Sequence, residues 1–231
     1  MNALKLVVVI PAYNEAKVIS EVISAIPKKL SGVSEITTLV VDDHSLDNTR
    51  ELAEKAGAKS IRHKINLGAG GATITGLEAA KRLGADIIVT MDADGQHKGE
   101  DMTTLIEPIL QGDADVVLGS RMKQTDRAMP SYKVLGNNLL NIVTFLFFGI
   151  WVSDSQSGYK AFSKEALKKI KLSANGYEYC SEIIGEIKKR RLKYKEVTIQ
   201  TIYTPYSKSK GQLALNAINI VLGLLTRGIR S

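Results

Sequence analysis

Two acidic residues, Asp92 and Asp94, follow a run of apolar and β-branched residues, and their spacing could hold a cation. The run at 87–91 (IIVTM) is typical of a buried strand, so both carboxylates are expected at the strand's carboxyl end. Gly95 suits a tight turn, and Gln96 adds a neutral oxygen donor. Hard divalent cations prefer carboxylate, amide and water oxygens. The pattern therefore indicates a metal site or, equally well for an isolated Asp-x-Asp, a polar cap at the strand end.

The first half of the chain alternates strand and helix patterns, which predicts how these acids are positioned. Apolar runs indicating strands occur at 4–10, 38–41, 59–62, 87–91 and 115–118. Such alternation predicts a doubly wound, mostly parallel α/β sheet with helices on both faces over residues 1–121. In these folds the carboxyl ends of the strands meet at one edge, where ligands bind. We therefore expect convergence there of Asp42, Asp92, Asp94 and Arg121.

Three turns of the first half carry further predictions. Asn14 with Glu15 is expected to start a helix after a strand that Pro11 closes, because apolar residues recur at helical spacing to position 26. Ser45 and Asp47 are predicted caps of a helix over 49–56. The glycine-rich turn at 66–76 could present backbone N–H groups to an anion, although close helix packing would explain its glycines as well.

The second half is less regular, and its most unusual feature is apolar helices. A polar linker is expected at 122–133, a turn-rich stretch at 153–163, helices at 164–170 and 175–191, and a strand at 194–202. The runs 139–152 and 213–225 are apolar on several faces, yet each is interrupted by Asn. Both are shorter than the roughly 18 to 20 apolar residues of a membrane span. They are expected to be core helices or helices lying in a membrane interface.

Composition restricts the class of protein. The chain has 231 residues, of which 44% are hydrophobic and 24% charged, as in soluble globular proteins, so disorder is not expected. The net charge of +7 suits phosphates, anionic lipid or nucleic acid, or simply a solvated surface. A single cysteine, Cys180, excludes an intramolecular disulfide and is consistent with a reducing compartment. No signal peptide is visible in the N-terminal apolar run.

An ordered series of short motifs gives a more specific indication. The motifs are PAYNE (11–15), VVDDHSLDNT (40–49), NLGAGGA (66–72), MDADGQH (91–97), GSR (119–121), DSQSGYKAF (154–162) and SKSK (207–210). Together they resemble family 2 of the inverting GT-A glycosyltransferases, and within it the enzymes that make polyprenyl-phosphate sugars, such as the dolichol-phosphate mannose synthases. The resemblance covers nearly the whole chain. It implies one GT-A domain over 1–231, with a nucleotide-sugar half at 1–121 and an acceptor half at 122–231.

The resemblance also implies roles for individual residues. The positions expected to bind the donor nucleotide are Pro11, Tyr13, Glu15, Asp42 and Lys210, the last in a basic loop over the diphosphate. Asp92, Asp94 and Gln96 match the ligands of Mg²⁺ or Mn²⁺, and Asp94 is also counted with the catalytic group. Arg121 matches a group that binds the acceptor phosphate, and Asp154 and Glu182 line the sugar side.

The activity implied is metal-dependent transfer of a hexose from a nucleotide sugar to dolichyl or polyprenyl phosphate. Mannose from GDP-mannose is the first expectation, with glucose and N-acetylglucosamine as alternatives. A lipid phosphate needs no general base because its oxygen is already ionised near neutral pH, whereas a sugar hydroxyl would need one, for which Asp154 is the candidate. We expect a peripheral position on the cytoplasmic face of the membrane, through 139–152 and 213–225, and no nucleic-acid partner. The alternatives are a soluble family 2 enzyme with a saccharide acceptor and a nucleotide-sugar binding protein without turnover.

Overall fold

The computed structural model describes residues 4–122 and 131–202, with side chains from position 134 in the second range. Within these ranges seven strands form one sheet in the order β3-β2-β1-β4-β6-β5-β7. The strands are β1 (Leu4–Ala12), β2 (Val33–Asp42), β3 (Lys59–Arg62), β4 (Ile87–Thr90), β5 (Val116–Ser120), β6 (Lys160–Ser163) and β7 (Tyr194–Thr198). Strand β6 runs antiparallel to β4 and β5, and the remaining neighbours are parallel. The predicted mostly parallel α/β sheet is therefore confirmed as a mixed sheet with one reversed strand.

Helices cover both faces of this sheet. They are α1 (Ile19–Ser24), α2 (Thr49–Lys55), α3 (Gly68–Arg82), α4 (Met102–Leu110, after a 3₁₀ turn at Gly99–Asp101), α5 (Ser131–Phe148), α6 (Lys164–Lys169) and α7 (Tyr179–Lys189). Alternate residues of β1 point to opposite faces, as strand geometry requires. Leu6 and Val8 pack with the α1 and α4 side chains, whereas Val7 and Val9 pack with those of α3 and α7.

Two predicted boundaries around β1 were wrong. The strand does not close before Pro11 but continues through it to Ala12, which pairs with Asp42 of β2. Helix α1 begins at Ile19 rather than near Asn14. Asn14 has a left-handed backbone (φ 55°), and its side-chain oxygen accepts a hydrogen bond from the Leu46 backbone N–H at 2.8 Å. This tie to the loop after β2 uses Asn14 for a turn, a role that short polar side chains fill well.

The second half also differs from the sequence expectations. Strand β6 was not predicted, because four residues that follow a turn carry too little periodicity to reveal a strand. Helix α5 begins at Ser131, inside the predicted linker, and β7 ends at Thr198 rather than at 202. The predicted helix at 213–225 lies outside the described residues. No helix in the ranges 4–122 and 131–202 has both the length and the apolar character to cross a membrane.

Candidate active site

The predicted convergence of polar groups on one sheet edge is present. Strands β1, β2, β4 and β5 end at this edge, because β1 is parallel to β2 and β4, and β6 is antiparallel to both β4 and β5. Asp42 ends β2, Asp92 follows β4, and Arg121 follows β5. The reversed strand β6 begins at the same edge, so it brings Gly158 and Lys160 beside these groups.

Asp92 and Asp94 form a pair of like charges with unequal surroundings. The Nε2 atom of His97 lies 3.0 Å from Asp92 Oδ2. Burial opposes ionisation of Asp92, but the hydrogen bond and charge of His97, with the charges of Arg121 and Lys160, leave its pKa below the ordinary value. Burial raises the pKa of Asp94, and the adjacent Asp92 charge raises it further. A cation between the two carboxylates would relieve this repulsion.

The oxygen ligands at this edge fit a divalent cation whose coordination is completed by substrate. No cluster of three or more acidic, histidine or cysteine side chains suited to a metal occurs in the described ranges. Two carboxylates with the Gln96 amide are instead the kind of set that Mg²⁺ uses when it keeps waters and binds substrate phosphates. Gly158 leaves space for the pair, since a Cβ there would lie 2.1 Å from Asp92 Oδ1. Asp92 and Asp94, with Gln96 beside them, are therefore suited to hold such an ion.

His97 is held tightly enough to fix the Asp92 carboxylate. Its side chain is 2% exposed, and its ring lies 4.8 Å from the Tyr159 ring, centroid to centroid. Its backbone forms an isolated antiparallel bridge with Thr201, and Ile202 N donates to Gln96 O at 2.9 Å. The turn that carries the acids is thus fastened to the chain that follows β7.

Lys160 is a buried cation that sequence reasoning missed. It is 1% exposed, its Nζ donates to Ser157 O, and it lies 3.6 Å from Cys180 Sγ. Its charge favours the ionised forms of both Asp92 and Asp154. A lysine followed by apolar residues in a short strand was the only available signal, and it does not distinguish a buried lysine from a surface one.

Arg121 and Asp154 form a buried ion pair. Arg121 Nε and Nη2 donate to Asp154 Oδ2 and Oδ1 at 2.7 and 2.8 Å, and Arg121 N donates to Oδ2 at 3.1 Å. Burial opposes ionisation of Asp154, but the charge and hydrogen bonds of Arg121 hold its pKa below the ordinary value. Bidentate geometry of this kind fixes the guanidinium plane. Both Asp154 oxygens are therefore engaged in orienting Arg121.

The loops that follow β1 and β2 are joined by hydrogen bonds. Glu15 N donates to Thr49 Oγ1 at 2.8 Å, and Asn14 N donates to Ser45 Oγ at 3.0 Å. The predicted capping by Asp47 was wrong: the N-cap of α2 is Asn48, without a side-chain cap bond, and Asp47 Oδ1 accepts from Thr49 N at 3.0 Å in a turn before the helix. Ser45 instead serves the β1 loop. Tyr13 is 44% exposed at this edge.

The Asp42 carboxylate faces protein groups. It is fully buried, accepts from Ser45 N at 3.0 Å, and lies 3.4 Å from Arg62 Nε. Arg62 Nη2 also donates to Ser45 O at 2.9 Å. Sequence reasoning had not selected Arg62. Contact of Pro11, Tyr13, Glu15 and Asp42 with a nucleotide stays a prediction.

The glycine-rich turn uses its backbone N–H groups within the protein. Leu67 N and Gly68 N each donate at 2.8 Å to the Asp43 carboxylate. Gly70 N and Gly71 N donate to Asn175 O at 2.8 and 3.2 Å. A Cβ on Gly70 would lie 2.1 Å from Ala174 O. Close packing, rather than anion binding, accounts for these glycines.

Glu182 supports the loop that covers this turn. It accepts from Ser173 N at 3.0 Å, from Ser173 Oγ at 2.7 Å and from Ala174 N at 2.9 Å. These bonds fix the chain just before Asn175. Its predicted position on the sugar side stays a prediction, and Lys210 with the 207–210 loop lies outside the described residues.

Comparison with solved structures defines the class of fold. The chain is similar to glucosyl-3-phosphoglycerate synthase from Mycobacterium tuberculosis in complex with Mn²⁺, uridine diphosphate and glucosyl-3-phosphoglycerate, with a TM-score of 0.69 and 24% identity. The match covers 96% of this chain and 80% of that one. At this identity the likeness concerns the fold, which is that of the GT-A glycosyltransferases.

The sequence comparisons then define the family. Residues 7–171 match Glycosyl transferase family 2, so the chain belongs to this family and is a glycosyltransferase. It is 42% identical to a UDP-N-acetylglucosamine–dolichyl-phosphate N-acetylglucosaminyltransferase of Methanococcus voltae, over 94% of this chain and 93% of that protein. It is 33% identical to a dolichol-phosphate mannosyltransferase of Pyrococcus furiosus, over 78% of this chain and 52% of that protein.

Proposed function

We propose that this protein transfers a sugar from a nucleotide sugar to a polyprenyl phosphate such as dolichyl phosphate, using Mg²⁺ or Mn²⁺. The observation that carries the proposal is the engagement of Asp154. This carboxylate was the candidate base for a hydroxyl acceptor, yet both of its oxygens bond to Arg121 and its pKa is lowered. A carboxylate held in this way is a poor base. An acceptor that is already ionised, as a phosphate monoester is, needs none.

The metal would be held by Asp92 and Asp94, with Gln96 as a further ligand. When bound, it stabilises the negative charge that develops on the departing diphosphate. The protein's own contribution is to hold the two carboxylates ready. His97 and Lys160 favour the ionised form of Asp92, and Gly158, which has no side chain, leaves room for its carboxylate.

Arg121 is proposed to orient the acceptor phosphate. Its guanidinium is fixed by Asp154 at the end of β5, on the edge that also carries Asp92. A planar guanidinium suits phosphate oxygens. Its charge would hold the phosphate oxygen close to the anomeric carbon, where positioning supplies most of the catalysis. The new bond forms from this oxygen to the anomeric carbon as the bond to the diphosphate breaks, with inversion.

Helix α5 is proposed to contact the membrane that contains the acceptor. Exposed apolar side chains lie along it and just beyond it: Leu135, Leu139, Ile142, Phe145, Leu146, Phe147 and Trp151, between 39% and 74% exposed. Phe145 and Trp151 pack edge to face, 5.9 Å between centroids. An apolar helix face next to a phosphate-binding edge suits an interfacial protein whose substrate has a lipid tail. Membrane contact through 139–152 and the cytoplasmic face remain part of this proposal.

For the donor, the relatives favour UDP-N-acetylglucosamine over the GDP-mannose first expected from sequence. The Methanococcus voltae protein is named for that donor and matches over nearly its full length at 42% identity, whereas the Pyrococcus furiosus mannosyltransferase matches at 33%. Donor choice depends on pocket shape rather than on shared motifs. Both donors are therefore included in the test.

The test measures transfer of labelled sugar into an organic-extractable lipid. UDP-N-acetylglucosamine, GDP-mannose and UDP-glucose are each supplied with dolichyl phosphate, with and without EDTA. Dolichol, which has a hydroxyl in place of the phosphate, is the matched acceptor control. We expect label in dolichyl phosphate with one donor, none in dolichol, and loss of transfer in EDTA.

Other results would move the assignment. Label in a saccharide but in no lipid phosphate would favour a soluble enzyme with a sugar acceptor. Nucleotide binding without transfer to any acceptor would favour a binding protein without turnover. Equal transfer with and without EDTA would contradict the metal role of Asp92 and Asp94.

A further inference from the structure

Helix α5 carries a row of polar side chains on one face, although most of its residues are apolar. Asn137, Asn141 and Thr144 are spaced i, i+4 and i+7, so they lie on one face. Asn141 and Thr144 are buried, at 2% and 0% exposure. Leu139 and Ile142, between these positions, are exposed. The asparagine that interrupts the apolar run in the sequence therefore faces the protein.

Asn141 binds the backbone on both sides of Asp154. Its Nδ2 donates to Ser153 O at 2.7 Å, and its Oδ1 accepts from Ser155 N at 2.9 Å. Both polar ends of one carboxamide are thus used across a single residue. One turn earlier, Asn137 Nδ2 lies 3.4 Å from Asp154 Oδ1.

The same turn is fixed from its other side by β7. Glu196 Oε1 accepts from both Ser153 N and Ser153 Oγ at 2.7 Å. These bonds stop at Ser153, one residue before Asp154. Asn141 is the group that spans Asp154 itself, and it stands on the helix whose outer face is apolar.

We infer that Asn141 is a positioning residue for the acceptor site: it clamps the 153–155 backbone so that Asp154 holds Arg121 in the orientation that receives the lipid phosphate. This inference rests on the proposed function. It assigns α5 two tasks, since the helix that would contact the lipid also holds the turn that orients Arg121. Loss of the Asn141 clamp should weaken use of the acceptor and leave nucleotide binding unchanged, because the predicted nucleotide contacts lie at β1 and β2.

The test compares Asn141→Ala with Asn138→Ala. Asn138 is an exposed asparagine on the same helix, so it controls for the loss of an amide from α5. We expect Asn141→Ala to lower kcat/KM for dolichyl phosphate by about 10- to 100-fold, because small misplacements of a reacting group have costs of this order. The Kd of the nucleoside diphosphate, measured with Mn²⁺, should stay within about twofold of the wild-type value. Asn138→Ala should match the wild type in both.

A readout without turnover separates this inference from the proposed function. Arg121 N donates to Asp154, so its hydrogen exchange, followed by NMR, reports on the pair. We expect faster exchange at Arg121 in Asn141→Ala and unchanged exchange in Asn138→Ala. If the wild type glycosylates no lipid phosphate, the proposed function fails, and this exchange still decides whether the clamp exists.

Two results would overturn the inference. One is wild-type exchange at Arg121 in a folded Asn141→Ala protein. The other is an equal loss of nucleotide binding and acceptor use, which would indicate a general structural role. If Asn141→Ala does not fold, the isosteric Asn141→Asp keeps the acceptor for Ser155 N but loses the amide donor to Ser153 O, and it should give a smaller effect in the same direction. Wild-type acceptor kinetics and exchange in Asn141→Asp would then count against the clamp.

Discussion

The acidic turn after β2 and the acidic turn after β4 look alike in sequence but differ in the structure. Asp42 and Asp43 are 0% and 3% exposed; Asp42 Oδ1 accepts from Ser45 N, and Asp42 Oδ2 forms no hydrogen bond within the described residues but lies 3.4 Å from the Arg62 guanidinium. Asp43 alone accepts from Leu67 N and Gly68 N and lies 2.7 Å from His63 Nδ1. Asp92 and Asp94 are only partly buried, and the charge of the first contributes to the raised pKa of the second.

The difference teaches how to recognise a ligand site among acidic strand ends. A carboxylate with several internal donors has its charge compensated by the fold, as buried charges require. Where the charge of one carboxylate raises the pKa of its neighbour, as Asp92 does for Asp94, the pair is compensated only in part, so a bound cation would lower its free energy. The repulsion between Asp92 and Asp94 therefore favours the turn after β4, rather than the turn after β2, as the place where the proposed metal would bind.

Among the variants that test this difference between the two acidic turns, Asp94→Asn is expected to have the largest effect. The substitution removes one of two proposed anionic ligands, and loss of cation stabilisation should lower kcat by about 10³-fold, equivalent to about 4 kcal/mol. The free energy of unfolding without metal should stay equal or rise, because the repulsion between Asp92 and Asp94 is relieved. Steady-state kinetics and urea unfolding measure the two quantities. Wild-type turnover in this variant would exclude Asp94 as a required ligand.

The matched substitution at the other turn, Asp43→Asn, should have the opposite profile. It removes the charged acceptor of the Leu67 and Gly68 N–H groups, so the free energy of unfolding should fall by about 2 kcal/mol. Turnover per folded molecule should change only a few-fold, since Asp43 serves the glycine-rich turn. Urea unfolding and kinetics below the melting transition test this. A loss of turnover as large as that of Asp94→Asn, with stability retained, would break the comparison.

The sequence predicted local features well and long-range partners poorly. Apolar runs revealed β1 to β5, because side-chain periodicity is a property of neighbouring residues. Strand β6 was missed because its position depends on pairing with β4 and β5, which lie far away in sequence. The left-handed turn at Asn14 likewise depends on Leu46.

The candidate site divides in the same way. The acids at strand ends could be predicted from the strand pattern alone. The sequence could not predict which acidic pair has its charge compensated by the protein. The partners of Asp43 are His63, Leu67 and Gly68, which lie 20 or more residues further along the chain. The role of Asn141 was hidden for the same reason, because an asparagine in an apolar run looks like an interruption until its partners are known.

The smallest expected effect is on the pH dependence of Mn²⁺ binding, which tests directly whether Asp92 and Asp94 repel each other. Burial and the charge of Asp92 raise the pKa of Asp94, so without metal Asp94 keeps its proton to a higher pH than a free aspartate. Metal binding requires the ionised form. Mn²⁺ affinity should therefore fall as pH falls through this raised pKa, by up to about tenfold or about 1.4 kcal/mol per pH unit, and become level above it.

Calorimetric titration with Mn²⁺ across this pH range, in buffers of different ionisation enthalpy, measures both affinity and proton release. In the wild type, proton release should grow as pH falls towards the pKa of Asp94. Asp94→Asn should bind more weakly and lose this pH dependence, whereas Asp43→Asn should keep it because its carboxylate serves the other turn. Equal pH dependence in wild type and Asp94→Asn would mean that the proton comes from another group. The two acidic turns would then differ in their hydrogen bonds but not in their readiness for a cation.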